Sequence, residues 1–190
     1  MTHRLNVVAL NGNPAPSIHG RTAALLEHQL QALQQHLPIQ AQRIELAAFA
    51  RGLGQALLRS EAPPAAEQAL QRIEAADLLL VAVPVYRGTY PGLFKHLVDF
   101  IGIDALIDVP VLLAASGGSD RHALVIDHQL RPLFSFLQAQ TLPIGVYAGP
   151  QDLPTQGLPS AALQARIDLA AARAAGLFAA SATPPLRRSA

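Results

Sequence analysis

The sequence contains no cysteine. Disulfides, thiolate nucleophiles and cysteine-held metals or iron–sulfur clusters are therefore excluded, and a reducing compartment fits. Charge is scarce as well: 14% of the 190 residues are charged and the formal net charge is +1. A chain so nearly neutral offers neither the basic stripe that nucleic acid requires nor the polybasic patch that holds a membrane surface, so the expected partner is a small molecule. No apolar run approaches the roughly 20 residues of a membrane span, and MTHRLNVVALNG enters a strand pattern directly, without a signal-peptide core. The expected location is the cytoplasm. Two nucleotide-binding signatures are also absent. No Gly-Lys-Ser/Thr follows Gly12, so there is no Walker A loop, and GxGxxG does not occur; ATP and a dinucleotide Rossmann site both lose ground.

Apolar residues are what the chain has in quantity, at 51%. Over this length they can bury one substantial core. One domain over residues 1–178 is expected, followed by a disordered tail, 179–190, that carries Pro184, Pro185, Arg187 and Arg188. No internal repeat is visible.

The organising stretch is Leu78–Phe100. Its first seven residues, Leu78–Pro84, are apolar without a break, as in a strand covered on both faces of a parallel sheet. Val85–Tyr90 then mixes aromatic, basic and small residues, and Pro91-Gly92 opens a helix with Leu93, Leu97 and Ile101 at a spacing of four. Further strand patterns occur at Leu5–Leu10, Ile39–Leu46, Val109–Ala115 and Leu142–Ala148. Helical patterns lie between them: one from about Thr22, stopped by Pro38; one over Ala66–Ala76; and a long one after Ser119, reaching about Ala139, that Pro132 must kink or widen. Pro159–Phe178 closes the chain. Ala47–Pro64 is irregular, and reads as a plain connector or as a lid or subunit contact. Five strands separated by helices define an α/β, doubly wound, five-stranded parallel sheet, for which the flavodoxin-like order 2-1-3-4-5 is expected. The switch point then falls between the first and third strands. The loops Asn11–Gly20 and Val85–Tyr90 should face one crevice there, with Ser116–Ser119 along its rim.

Each of these loops admits a functional and a structural reading. In the first, Gly12 permits a tight turn, Ser17 and Thr22 carry hydroxyls, Arg21 carries a charge, and the N–H groups of the next helix complete an anion site. An ordinary strand-to-helix connection uses the same residues. In the second, Tyr86 and Tyr90 suit the face or edge of a flat aromatic ligand, Arg87 its polar rim, and backbone amides near Gly88 its heteroatoms; the plainer reading has Tyr90 capping the core and Arg87 solvated. In the third, the paired glycines of Ser116-Gly117-Gly118-Ser119 allow close approach of a ligand, or simply a tight turn. Ser116, His122 and Asp127 are the residue types of a hydrolase triad, but Ser116 lacks the G-x-S-x-G elbow. His28 and His36 approach facing positions on one helix with no carboxylate in register, so no metal site is expected. Lys95 and Asp99 suit an i, i+4 surface pair. The helix Pro91–Gly102, with Phe94 and Phe100 beside its inward face, carries more apolar surface than one sheet face needs, which points to a subunit contact.

These residues resemble a known family. Pro84-Val85-Tyr86 followed by Gly92, Lys95 and Asp99 is similar to the P-x-Y-x5-G-x2-K-x3-D pattern of the NADPH-dependent FMN reductases. The segments PVYRGTYPGLFKHLVDF, LLAASGGSDRHAL and VIDHQLRPLFSFLQAQTLPIGVYA resemble in particular the FMN reductases of two-component alkanesulfonate and methanesulfonate monooxygenase systems. The resemblance implies a homodimer or homotetramer that binds FMN and NADPH or NADH, moves hydride to the flavin, and hands reduced FMN to a partner monooxygenase. Carried over residue by residue, it assigns Gly12, Asn13, Ser17, Arg21 and Thr22 to the FMN phosphate. Pro84, Val85, Tyr86, Arg87 and Gly88 would run along the isoalloxazine, and Ser116, Gly117, Gly118 and Ser119 would close its other side. The first loop departs from the pattern, with Gly12-Asn13-Pro14-Ala15 where members read Gly-Ser-x-Arg. The resemblance also implies an inserted residue that makes a π turn at the subunit contact, near His128, and Pro132 close by suits a wide turn. Because such a cofactor supplies the hard chemistry, no catalytic side chain is assigned. The backbone amides of Gly117 or Gly118 are candidates for the flavin N1/O2 edge. Two alternatives stay open: a quinone or azo-compound reductase that retains FMN, and a non-enzymatic flavodoxin-like electron carrier, against which the near-neutral charge stands.

Overall fold

The computed structural model describes residues 4–16, 20–154 and 158–180. Ser17 and the tail beyond Ala180 lie outside them. Leu5–Asn11 (β1), Ile39–Glu45 (β2), Leu78–Pro84 (β3) and Pro110–Ser116 (β4) pair in parallel in the order β2-β1-β3-β4. Two short segments, Gln140–Thr141 (β5) and Val146–Ala148 (β6), share the next position, both parallel to β4. The helices are α1 (Arg21–Gln34), α2 (Ala50–Leu53), α3 (Pro64–Glu74), α4 (Gly92–Asp99), α5 (Arg131–Phe136) and α6 (Ala161–Ala180). The order 2-1-3-4-5 is thus the one observed, with its fifth strand divided.

Alternation of side chains along each strand builds the layers on either face. Val8, Leu10, Val81, Val83 and Leu113 pack with residues of α3, α4 and α5, whereas Val7, Ala9, Leu80, Ala82 and Ala114 pack with α1 and α6. Every residue of β3 is buried. A polar side chain on either face of that strand would have to be buried too, and the run Leu78–Pro84 contains none.

The fifth strand differs from the expected Leu142–Ala148. Pro110 and Val111 pair with Gln140 and Thr141, and Ala114 with Val146, so residues 142–145 stand opposite only 112 and 113. Pro143 has no N–H for the ladder, which breaks there. Carbonyls that lose strand partners need others: Arg131 Nη1 donates to Leu142 O (2.7 Å) and Arg166 Nε to Gly145 O (2.6 Å). The helical stretch after Ser119 is also divided, into a 3-10 turn (Asp120–His122), a π turn (Ile126–Leu130) and α5, whose second residue is Pro132. The wide turn implied near His128 is therefore present. Its first residue packs on the strand break, since a Cβ on Gly145 would come within 2.6 Å of Ile126 Cγ2.

Spare apolar surface on α4 is not found. Phe94 is fully buried and meets Tyr90 edge to face, with centroids 5.6 Å apart; Phe100 is 9% exposed and packs on the His96 ring. Both rings complete the core of their own chain. The irregular stretch 46–63 is pinned down rather than loose. It forms short turns around α2, Arg59 pairs with Glu67 and Glu74 of α3 and donates to Phe100 O (3.1 Å), and His96 Nε2 donates to Ala56 O (2.8 Å). Those two carboxylates hold the Arg59 guanidinium firmly in its charged form, and Arg59 in turn lowers the Glu67 carboxyl below its usual range. Lys95 and Asp99 form the expected surface pair.

Candidate functional site

Parallel strands deliver their following loops to one end of the sheet, and the loops flanking the switch point meet there. Gly12 N–H donates to Ala82 O (2.8 Å), and the Tyr86 hydroxyl donates to Asn13 Oδ1 (2.9 Å). The third loop joins them through Val85 N–H and Ser116 O (2.8 Å). The expected convergence holds for the described residues of all three loops.

The first loop hangs from the end of β1. Asn11 is buried, accepts Asn13 N–H on its Oδ1 (3.1 Å) and donates from Nδ2 to Glu45 Oε2 at the end of β2 (2.8 Å). Loss of hydration pushes the Glu45 carboxyl above its ordinary value, and the bond from Asn11 offsets part of that rise. Gly12 is required here for space, since its φ is not left-handed. A Cβ on it would lie 2.5 Å from Phe94 Cδ2 and 2.8 Å from Val83 Cγ1. Arg21, at the start of α1, directs Nε to Leu153 O (2.8 Å) and Nη1 to Gly117 O (3.3 Å), so it ties together the loops after β4 and β6. Thr22 is buried with its hydroxyl 2.8 Å from that of Ser116, also buried, which joins α1 to β4. Each hydroxyl is thus partnered by the other, and Ser116 lies beside Thr22 rather than beside a histidine. Gly20, the residue before α1, has no side chain to cap the first turn, and the leading N–H groups of a helix have no partner within it.

The second loop is a two-residue hairpin. Tyr86 and Thr89 exchange backbone hydrogen bonds (2.8 and 3.2 Å), and Arg87 and Gly88 both take positive φ, 52° and 92°. That is the primed turn whose twist matches strand twist, and it suits glycine far better than arginine. Tyr86, Arg87 and Gly88 are exposed, whereas Pro84 is buried and Val85 and Tyr90 pack partly against the core. Tyr90 thus takes the core-capping role.

In the third loop most polar groups are already engaged. Gly117 N–H donates to Ala148 O (3.1 Å), so this amide is withdrawn from the pair suggested for a flavin edge, leaving Gly118. A Cβ on Gly117 would collide with the Tyr147 hydroxyl, while one on Gly118 would meet nothing within 4 Å. Ser119 Oγ accepts from Arg121 N–H (3.3 Å), and Ser119 O accepts from the Tyr147 hydroxyl (2.5 Å). Burial, and secondarily Asp120, push the Tyr147 hydroxyl above its ordinary range, which keeps it a donor. Asn11, Glu45 and Tyr147 were not singled out by sequence; a polar residue ending an apolar strand run was the one available signal, for Asn11. A groove of about 520 Å³ between His28, Gln35, Leu158 and Gln164 lies down the length of α1, away from this crevice, and one of about 210 Å³ adjoins the first loop between Pro14, Pro16 and Phe49.

At this end of the sheet the Tyr86 ring is exposed, and a Cβ on Gly88 or Gly118 would meet nothing within 4 Å. The fold defines a flavodoxin-type α/β protein whose loops meet at its switch point. Comparison with known proteins narrows the class. The sequence pattern of NADPH-dependent FMN reductases matches residues 5–153. The NADH-dependent FMN reductase SfnE of Pseudomonas putida is 59% identical over all of both chains. A protein of Pseudomonas aeruginosa described as FMN reductase (NADPH) is 56% identical over 94% of this chain and 95% of its own. Among solved structures, an oxidoreductase from Corynebacterium diphtheriae superposes with a TM-score of 0.82 at 30% identity, over 95% of this chain and all of that one. The chain belongs to the NADPH-dependent FMN reductase family.

Proposed function

We propose that this chain is an NAD(P)H:FMN oxidoreductase that supplies reduced FMN to a partner flavin-dependent monooxygenase of sulfonate-sulfur utilisation. The meeting of the Tyr86 hairpin with the first loop at the switch point carries this reading, in a chain of this family. Bound FMN supplies the capacity to accept hydride from a reduced nicotinamide. The chain supplies position. The first loop, with Gly12 and Asn13, and the start of α1 would hold the phosphate, helped by Ser17 and by the part of the Arg21 guanidinium not bound to carbonyls. Pro84, Val85, Tyr86, Arg87 and Gly88 would run along the ring, and Gly118 and Ser119 would close the other side. Thr22, Ser116 and Gly117 would support these walls from behind. No side chain is asked to move a proton, because orientation of two cofactors accounts for the chemistry.

Relatives named for NADH and for NADPH support either nicotinamide as donor. A homodimer or homotetramer is supported by exposed Leu124, His128, Pro132 and Phe136, spaced by four across the π turn and α5. Residues 1–178 would act as one flavin-binding unit. The cytoplasm, where reduced nicotinamides are held, suits it, and no helix among the described residues is long and apolar enough to cross a membrane.

The decisive experiment is nicotinamide oxidation by flavin-free protein in air, with and without added FMN, riboflavin or FAD. Turnover that depends on added FMN is expected. Tightly bound flavin without such turnover would overturn the reading in favour of a carrier or a quinone or azo-compound reductase.

A further inference from the structure

We propose that Asn13 is a positioning residue that clasps the two ligand loops, so that the phosphate end and the ring end of the flavin bind cooperatively. The inference rests on the flavin-binding reading above. Asn13 Oδ1 accepts two hydrogen bonds, from Ala15 N–H (3.1 Å) within its own loop and from the Tyr86 hydroxyl (2.9 Å) across the cleft. Its backbone N–H is held by Asn11 Oδ1 (3.1 Å), and Asn11 in turn is anchored on Glu45 (2.8 Å). Tyr86 is fixed at the other end by its paired bonds with Thr89. Among the described residues, this is the side-chain hydrogen bond that joins residues 11–16 to residues 85–90, which are 73 positions apart at the contact.

The Tyr86–Asn13 bond makes each loop part of the other's support, so ordering one lowers the cost of ordering the other. A ligand that reaches the first loop with its phosphate should therefore steady the Tyr86 ring, which is 43% exposed. FMN would be preferred over riboflavin by more than the phosphate contacts alone provide.

The test uses flavin-free protein and two readouts apart from turnover. Quenching of flavin fluorescence gives Kd for FMN and for riboflavin in wild type, Asn13→Ser, Tyr86→Phe and the double variant. Serine keeps a local acceptor for Ala15 N–H and has a side chain shorter than asparagine's. Each single change should weaken FMN roughly three- to tenfold, the range for one hydrogen bond. The double variant should be no weaker than the worse single one, and the preference for FMN over riboflavin should shrink in all three. Hydrogen exchange without flavin should show Asn13→Ser accelerating the amides of residues 85–90. Effects that multiply in the double variant, or hairpin exchange indifferent to Asn13→Ser, would overturn the clasp. Wild type that binds no flavin while its hairpin exchange still responds to Asn13→Ser would count against the functional reading and for the clasp.

Discussion

The loops after β3 and β4 start alike, each leaving a buried strand and passing through glycine, yet the surroundings of those glycines differ. In the loop after β4, Ser116 is bound to Thr22, Gly117 N–H to Ala148, Gly117 O to Arg21, and Ser119 O to Tyr147. In the loop after β3, Arg87 and Gly88 stand exposed at a hairpin tip, tied back through Tyr86 and Thr89. Glycine means something different in each. At Gly117 the space a Cβ would need belongs to the protein's own Tyr147; at Gly88 it is empty, and glycine serves a φ of 92°. What occupies the space beside a glycine, more than the glycine itself, separates a packed wall from an open one.

The sharpest way to break this comparison is Gly117→Ala. Overpacking against Tyr147 should cost about 2–3 kcal/mol in urea unfolding, whereas Gly118→Ala should stay within about 0.5 kcal/mol. Equal effects at the two positions would erase the distinction. Tyr147→Phe in the Gly117→Ala background should restore part of the loss, since the hydroxyl is the colliding group and the next atom, Cζ, is 3.2 Å away. Next in size are Thr22→Val and Ser116→Ala. Each leaves a buried hydroxyl without its partner, at about 1–2 kcal/mol, and the pair together should cost clearly less than the sum of the two in a double-mutant cycle. Smallest is Gly88→Ala, where strain at positive φ without a clash should cost about 1 kcal/mol, read as a modest fall in Tm. A loss as large as that of Gly117→Ala would mean the hairpin is packed like the third loop.

Much of this molecule is written along its sequence. The uninterrupted run Leu78–Pro84 marks a strand buried on both faces, and strands alternating with helices give the order that is observed. The meeting of the first and second loops follows from that order, as the bond between Tyr86 and Asn13 shows. The roles of particular residues were harder to read, because they depend on partners distant in the chain. Arg21 looks like a free cation at a loop's end, but its carbonyl partners come from Leu153 and Gly117, 132 and 96 positions away. Gly12 reads as a turn residue until Phe94 is found filling the space above it. Phe94 and Phe100 look like surplus apolar surface only while the elements that cover them are unknown. The strand break at Pro143 leaves no mark in the hydrophobic pattern, which continues on either side of it, and an edge position tolerates the lost N–H.

That break also changes what the edge of the sheet offers to another chain. A continuous outermost strand displays a row of unpaired N–H and C=O groups on which a neighbouring chain can dock and propagate. Here the margin is cut into pieces of two and three residues, and two of the carbonyls between them are already taken by Arg131 and Arg166. A strand from another molecule would find no uninterrupted register to extend. Gly145, whose carbonyl Arg166 takes, is also the residue on which Ile126 of the π turn packs, so the wide turn and the broken edge share one point of the fold.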